Sequence, residues 1–302
     1  MECKMYEDIQ KNKIKTGFIV CIFVLVITLI VYYVCIAFDL GPFSVVIALT
    51  VSILSAWSSY YYSDKIILAI NKARPATTEE NQQLVHILDG LMVSSGLEYR
   101  PRLYVIDDPQ PNAFATGRNP QNAIICVTSG LLEKLDYYEL EGVVAHELSH
   151  IKNYDIRLSA IVSVMVGLVV MLSDLVSRIF FWGSFRDNDN DSKGNVILML
   201  IGLIAVILAP IFGELMKLAI SRKREYLADA TAVEFTRNPD GLISALQKLE
   251  EDPNELKTAN KSTAHMYFIS PFKKEKRKKK MSNIWSTHPS TEDRITALRN
   301  LK

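Results

Sequence analysis

Residues Thr16 to Phe38 form a run of 23 residues without a single charge. As an α-helix at 1.5 Å per residue, such a run is about 34 Å long, enough to cross the hydrocarbon core of a bilayer. No other feature of the chain narrows its possible folds as much, because backbone in hydrocarbon must satisfy its hydrogen bonds internally. Leu40 to Ser63 is a second uncharged run and carries Trp57, Tyr60, Tyr61 and Tyr62 at its end. Such aromatics gather at membrane interfaces. Only Asp39 and a Gly41-Pro42 pair divide the two runs, which predicts a tight helical hairpin. Leu158 to Trp182 is a weaker third run, interrupted by Asp174 and Arg178, which stand one helical turn apart and can pair. Asn195 to Gly213 is a fourth, uncharged, with Pro210 as a kink. The rival reading of the last two is a buried hairpin in a soluble protein, but their length and apolarity favour the bilayer. The first run is too long for a cleaved signal peptide and lacks a small-x-small cleavage site.

Composition agrees with a chain of two kinds of sequence. Over 302 residues the mean hydropathy is +0.13 although 22% are charged. The four cysteines are few and irregularly spaced, which excludes a disulfide scaffold. A net charge of +1 argues against a nucleic-acid binder. The basic residues near the runs give a sidedness. Lys4, Lys11, Lys13 and Lys15 precede the first run, Lys65, Lys72 and Arg74 follow the second, and Lys217, Arg222, Lys223 and Arg224 follow the fourth. The loop inside the first hairpin has none, and the loop inside the second has Arg186 and Lys193 beside three aspartates. Both termini and both soluble pieces are therefore expected in the cytoplasm, with reduced thiols.

The expected organisation is a cytoplasmic tail over 1–15, a transmembrane hairpin over 16–63, and an inserted hairpin over 158–213. Residues 64–157 and 214–302 together make one cytoplasmic domain of ordinary size. Its predicted elements give an α+β, mainly helical domain with a small β-sheet. Helical periodicity covers Thr77 to Ser95, with Gly96 as a cap. Short strands are predicted at Arg102–Ile106, Ala113–Thr116 and Ala123–Thr128. Asp136 and Glu139 make a capping-box start to a helix with an apolar stripe of Leu140, Val144, Leu148 and Ile151. The fourth run is expected to continue as a helix through Glu225 and Asp229. Further helices are expected at Gly241–Glu251, started by Pro239-Asp240, and at Glu292–Leu301.

The chemistry is concentrated in His146-Glu147-Leu148-Ser149-His150. On a helix the two histidines lie one turn apart on one face, so both imidazoles can reach one tetrahedral ion. Glu147 lies about 100° round the helix, off the metal but within reach of water bound to it. Zinc lowers the pKa of that water, and Glu147 can take its proton and pass it to the leaving amine. The metzincin extension would need glycine at 153 and histidine at 156, but Asn153 and Ile156 stand there. A carboxylate from a later helix is the other common solution. Arg224-Glu225-Tyr226-Leu227-Ala228-Asp229 offers Glu225 and Asp229 one turn apart, like charges that a cation would reconcile. The bland alternative is a solvated face balanced by Arg222 and Arg224. An even number of membrane crossings between His150 and Glu225 lets them share an ion, and the second hairpin supplies two.

With Asn112-Ala113-Phe114-Ala115-Thr116-Gly117, His146 to His150, Ser221 to Asp229 and Thr287-His288-Pro289 in this order among four spans, the sequence resembles the HtpX family of integral-membrane zinc metalloproteases. These are gluzincins related to the CAAX prenyl proteases. The resemblance implies one zinc ion per chain held by His146, His150 and Glu225, with Glu147 as general base. It implies that Asp229 orients a ligand histidine. It implies that Asn112, Ala113, Phe114 and Ala115 form or adjoin an edge strand that holds substrate by strand addition. His288 would donate to the oxyanion or bind zinc as a fourth ligand in a resting form, and Arg294 would pair with a carboxylate of the site. The bland alternative for His288 is a surface histidine capping the last helix. The implied activity is a stress-response endopeptidase in the quality control of misfolded or damaged membrane proteins, in a bacterial plasma membrane. The alternative is a non-proteolytic zinc-binding scaffold or transporter, which the scarcity of ionisable groups in the runs disfavours.

Three features stand apart. His86 and His265 lack a catalytic context and read as ordinary. Leu88-Asp89-Gly90 echoes a ligand motif of intramembrane site-two proteases but lies before the histidine motif, in a water-exposed helix. Lys273 to Lys280 has seven basic residues in eight, and either binds anionic lipid of the cytoplasmic leaflet or is a solvated loop.

Overall fold

The structure, a computed structural model, describes residues 2–37, 41–78, 81–184, 221–254, 256, 262–271 and 289–301. The fourth apolar run, the basic octapeptide and His288 lie outside them. Helix α1 spans Glu2–Ala37 and α2 spans Ser44–Ile70. α1 starts well before the first apolar run, so the expected tail is helical from Glu2 on. α2 likewise continues past Ser63, the expected end of its run.

Up to Ser63 the buried side of α2 is made of small residues, Ser44, Ala48, Ser52, Ser59 and Ser63, and only its last turn buries Ile67 and Leu68. Val45, Val46, Ile53, Leu54 and Trp57 are exposed. A soluble helix has the opposite arrangement, whereas small residues inside and large apolar residues outside suit helices that pack in lipid. Thr28 Oγ1 of α1 lies 2.6 Å from Ser52 Oγ across this seam. Among the described residues Gly41–Ile70, of mean hydropathy 1.6, is the one helix long and apolar enough to cross a membrane, and Gly17–Tyr32 is a shorter apolar stretch.

The remaining described elements form a helical domain around a small mixed sheet. Strands β1 (Arg74–Pro75), β2 (Arg102–Ile106), β3 (Ala113–Thr116) and β4 (Ile124–Thr128) lie in the order β1-β2-β4-β3. β2 and β4 are parallel, and the two outer pairs are antiparallel. β4 is buried along its whole length, as its unbroken Ile-Ile-Cys-Val run requires of a central strand. β3 is an edge.

Helix α3 covers Gln82–Ser95, and the left-handed Gly96 (φ 65°) closes it. A short α4 (Ser129–Lys134) follows β4, its first turn capped by the Thr128 hydroxyl, which accepts from the Leu131 N–H. α5 spans Tyr137–Lys152 and opens on a complete capping box, Asp136 accepting from the Glu139 N–H and Glu139 from the Asp136 N–H. Leu140, Val143, Val144, Leu148 and Ile151 of α5 are in the core. Tyr154, in the left-handed region at φ 61°, turns the chain into α6, Asp155–Ser184. α6 is unbroken over the third apolar run, and its first half packs Leu158, Ile161, Val162, Met165 and Val166 with Ile19, Phe23 and Ile27 of α1.

Helix α7 spans Arg222–Thr236, α8 Pro239–Glu251 and α9 Thr291–Arg299. The expectation that α7 continues an earlier helix fails at Ser221, which is extended (φ −136°, ψ 114°). The break puts Glu225 in the first turn of α7, where the helix dipole favours a carboxylate. α8 approaches α5 closely. A Cβ on Gly142 would sit 3.0 Å from Leu242 backbone, and one on Gly241 would sit 2.5 Å from the Tyr138 carbonyl oxygen.

Candidate active site

α5 is covered by the sheet and α3 on its apolar stripe and packs against α7 on the face that carries His146 and His150. The helical spacing therefore aims both imidazoles at the first turn of α7. Their Nε2 atoms are 3.2 Å apart. Glu225 presents Oε2 at 3.7 Å from His146 Nε2 and Oε1 at 3.7 Å from His150 Nε2. Two imidazole nitrogens bound to one tetrahedral zinc are about 3.3 Å apart. The donor set is thus already at ligand spacing.

The far nitrogen of each ring is held by a carboxylate. Asp229 Oδ1 is 2.9 Å from His146 Nδ1, and Asp155 Oδ2 is 3.1 Å from His150 Nδ1. A neutral histidine that donates from Nδ1 keeps its Nε2 lone pair free. Both lone pairs then point at one spot, which favours a cation there. Arg294 pairs with Asp229 through Nε at 2.9 Å and Nη2 at 2.6 Å, and both side chains are 2% exposed. Arg224 Nη1 lies 3.4 Å from Asp155 Oδ1.

Glu147 is buried on the same side of α5 and lines one cavity with Ala115 of β3. Burial lifts its pKa above the usual carboxylate range; the Glu225 charge adds to this and the two histidines oppose it. Burial opposes the charge on Asp229 too, but Arg294 and the His146 bond hold its pKa down. Burial also disfavours charge on His150, yet the Asp155 hydrogen bond and the Glu225 charge raise it to about 9. The metal-free site therefore holds a proton that a metal would displace.

The structure brings together His146, Glu147, His150, Glu225, Asp229, Arg294 and Ala115 from the residues the sequence singled out. His288 is outside the described residues. The edge role expected of Asn112–Ala115 is divided: β3 is the edge strand, but its first half is already paired within the chain. Phe268 N–H donates to the Ala113 carbonyl at 2.8 Å, and Asn112 holds Ile269. Asp155 escaped sequence reading, although an acidic residue five positions after the second histidine was the signal. So did Phe268, whose ring stands edge-on to His146 at 4.9 Å, and no local pattern foretells it. His265, read as ordinary, lines the same cavity with Ile156, Ser159, Met266 and Tyr267. Asp89 of the rejected Leu-Asp-Gly motif instead pairs with Arg100 at 2.8 Å on the surface.

Residues 78–302 match the family model described as peptidase family M48. The chain is 44% identical over 294 residues to a "Protease HtpX homolog" of Dictyoglomus thermophilum, covering 97% of this chain and 94% of the relative. It is 40% identical over 303 residues to that of Lactobacillus helveticus, covering 98% and 100%. It is 39% identical over 309 residues to that of Listeria monocytogenes, again covering 98% and 100%. Among solved structures it resembles Ste24p of S. mikatae at 20% identity and a TM-score of 0.48, over 98% of this chain and 66% of that one.

Proposed function

The chain belongs to peptidase family M48 and is a membrane-associated zinc metalloprotease acting on peptides or proteins, and we propose that its reaction is run by the His146–Glu147–His150–Glu225 cluster. The observation that carries this reading is the donor geometry: two Nε2 atoms 3.2 Å apart, two carboxylate oxygens 3.7 Å from them, and both Nδ1 atoms tied to carboxylates. His146, His150 and Glu225 hold zinc. Bound there, zinc acidifies water and polarises the scissile carbonyl. Glu147 would take a proton from the attacking water at its carboxylate and pass it to the leaving amine. Its raised pKa suits a group that must both accept and give a proton. Asp229 and Asp155 keep the two imidazoles in the Nδ1–H form, and Arg294 keeps Asp229 ionised. Substrate adds as an extended strand along β3 from Ala115, the β3 residue that lines the cavity.

To His288 we assign the role of oxyanion donor. An alanine variant that cleaves faster would make it an inhibitory fourth ligand instead. Four spans with both termini cytoplasmic account best for the basic residues at the ends of the apolar runs. The exposed apolar face of α2 supports the first hairpin. The substrates are misfolded or damaged membrane proteins, and Lys273 to Lys280 rests on anionic lipid of the cytoplasmic leaflet. Topology is tested by single-cysteine labelling from each side of sealed vesicles, in which residue 190 must react from the outside. The chemistry is tested by Glu147→Gln: the variant must keep stoichiometric zinc and lose cleavage of an unfolded protein. Cleavage at the wild-type rate would sink the role given to Glu147.

A further inference from the structure

Asn112 has no polar atom left to offer a substrate. It is fully buried, and it does not line the cavity that Ala115, three residues on, lines. Its Nδ2 donates to the Ile269 carbonyl at 3.0 Å, and its Oδ1 accepts from the Ile269 N–H at 3.3 Å and from the Ala113 N–H at 3.0 Å. A side-chain amide carries the same donor and acceptor as a peptide group, so Asn112 pairs with Ile269 as a strand residue would. The Phe268 N–H bond to Ala113 continues the pairing. Tyr267 is fastened as well, its hydroxyl donating to Asn71 Oδ1 at 2.8 Å and its ring meeting Phe114 at 5.1 Å. Residues 267–269 are thus a strap tied along the start of the β3 edge.

The strap delivers Phe268 to the metal-ligand network. The Phe268 carbonyl accepts from Arg294 Nη1 at 3.2 Å, and its ring lies 4.5 Å from the Arg294 guanidinium. The ring edge also packs on His146. Arg294 also bonds Asp229 twice, which holds His146, and its Nη2 lies 3.3 Å from His146 Nδ1 itself. Nε, Nη1 and Nη2 of the guanidinium each have a partner, and Phe268 supplies the one on Nη1. A guanidinium that lost this carbonyl, or the ring packed on it, could rotate about its Asp229 contacts, carrying Oδ1 away from Nδ1.

We propose that Asn112 is a positioning residue: by clamping Ile269 to the β3 edge, it seats Phe268 against Arg294 and so fixes the Asp229–His146 pair that presents Nε2. Substrate contacts begin only beyond it, at Ala115. The inference rests on His146 being a zinc ligand.

The test uses the full chain in detergent, with Asn112→Ala, Phe268→Leu and the double variant. Zinc affinity is measured by competition with a chromophoric chelator, and kcat and KM on an unstructured peptide. Both single variants should weaken zinc binding about tenfold, the low end for groups that orient ligands, and lower kcat while KM stays within about twofold. The double variant should be no worse than the weaker single one, because both act through one strap. Cobalt-substituted variants should show shifted visible bands. A raised KM with unchanged zinc affinity would make Asn112 a substrate contact and overturn the proposal, as would additive losses in the double variant. If Asn112→Ala does not fold, Phe268→Leu with wild-type zinc affinity overturns it alone. Wild-type protein without stoichiometric zinc would instead remove the reading of His146 as a ligand.

Discussion

Replacing Asp229 separates the two tasks of the buried network, stability and ligand orientation. Asp229 and Arg294 are each 2% exposed and share two hydrogen bonds of 2.6 and 2.9 Å. Asp229→Ala leaves the guanidinium buried without its counter-charge, which costs about 3–5 kcal/mol. For a soluble portion of this size that is about 6–20 °C in Tm. Asp229→Asn keeps the volume and breaks the logic differently. Its amide offers one oxygen in place of two, and with that oxygen on Arg294 Nε the NH2 stands at the Oδ1 position, facing His146 Nδ1 as well as Arg294 Nη2. The imidazole must then accept at Nδ1 and carry its proton on Nε2, where a metal would bind. Zinc affinity should fall about 10–100-fold. The double variant Asp229→Ala/Arg294→Leu should recover most of the lost Tm, since no buried charge remains, but none of the lost zinc affinity. Thermal unfolding followed by circular dichroism, with chelator competition on the same samples, reads both quantities. Asp229→Asn with wild-type zinc affinity, or Asp229→Ala with an unchanged Tm, would refute the reasoning.

Asp155→Asn should weaken zinc binding less than Asp229→Asn, because His150 is 16% exposed against 1% for His146 and water can replace the lost carboxylate; chelator competition compares the two. His150 in the metal-free protein has its pKa raised to about 9, so the stability of its pairing with Asp155 is fully present below the unfolded value of about 6.5 and lost as pH rises through about 9. Zinc uptake in that window should release about one proton, measurable by calorimetry in buffers of different ionisation enthalpy. Glu139 is buried, which disfavours its charge, but Lys248, Ser244 Oγ and the Asp136 N–H hold its pKa below the usual range. A lowered pKa contributes stability above the unfolded value that is lost as pH falls through the folded one. Glu139→Gln should therefore cost about 1–2 kcal/mol near neutral pH, and the gap should close below about pH 4; unfolding at several pH values checks this.

How far the sequence foretells the structure depends on the range of the interaction. The start, stripe and histidine face of α5 are legible because a capping box and a 3.6-residue period are local. β3 and β4 are legible because Gly117 to Gln121 marks the turn between two apolar runs. β1 is not, being two residues, Arg74 and Pro75, that form a strand only by pairing with Tyr104 and Val105. The start of α7 is hidden because apolar and charged residues on either side of Ser221 all suit a helix. Asp155 is two steps from legible: its proximity to His150 depends on the left-handed Tyr154, which no pattern announces. Phe268 and His265 come to the site from more than a hundred residues beyond α5 in sequence, through the edge pairing of Asn112 and the seat on α6. Such contacts belong to the fold and not to any motif.

On the proposed assignment, His146, His150 and Glu225 hold a single zinc ion on which cleavage depends. Metal content of purified wild-type protein and Glu225→Ala, by elemental analysis after dialysis at pH 7.5, tests it most directly. Wild-type protein should carry one zinc per chain and the variant almost none, while still folding with α5 and α7 in place. Stoichiometric zinc retained by Glu225→Ala would contradict it.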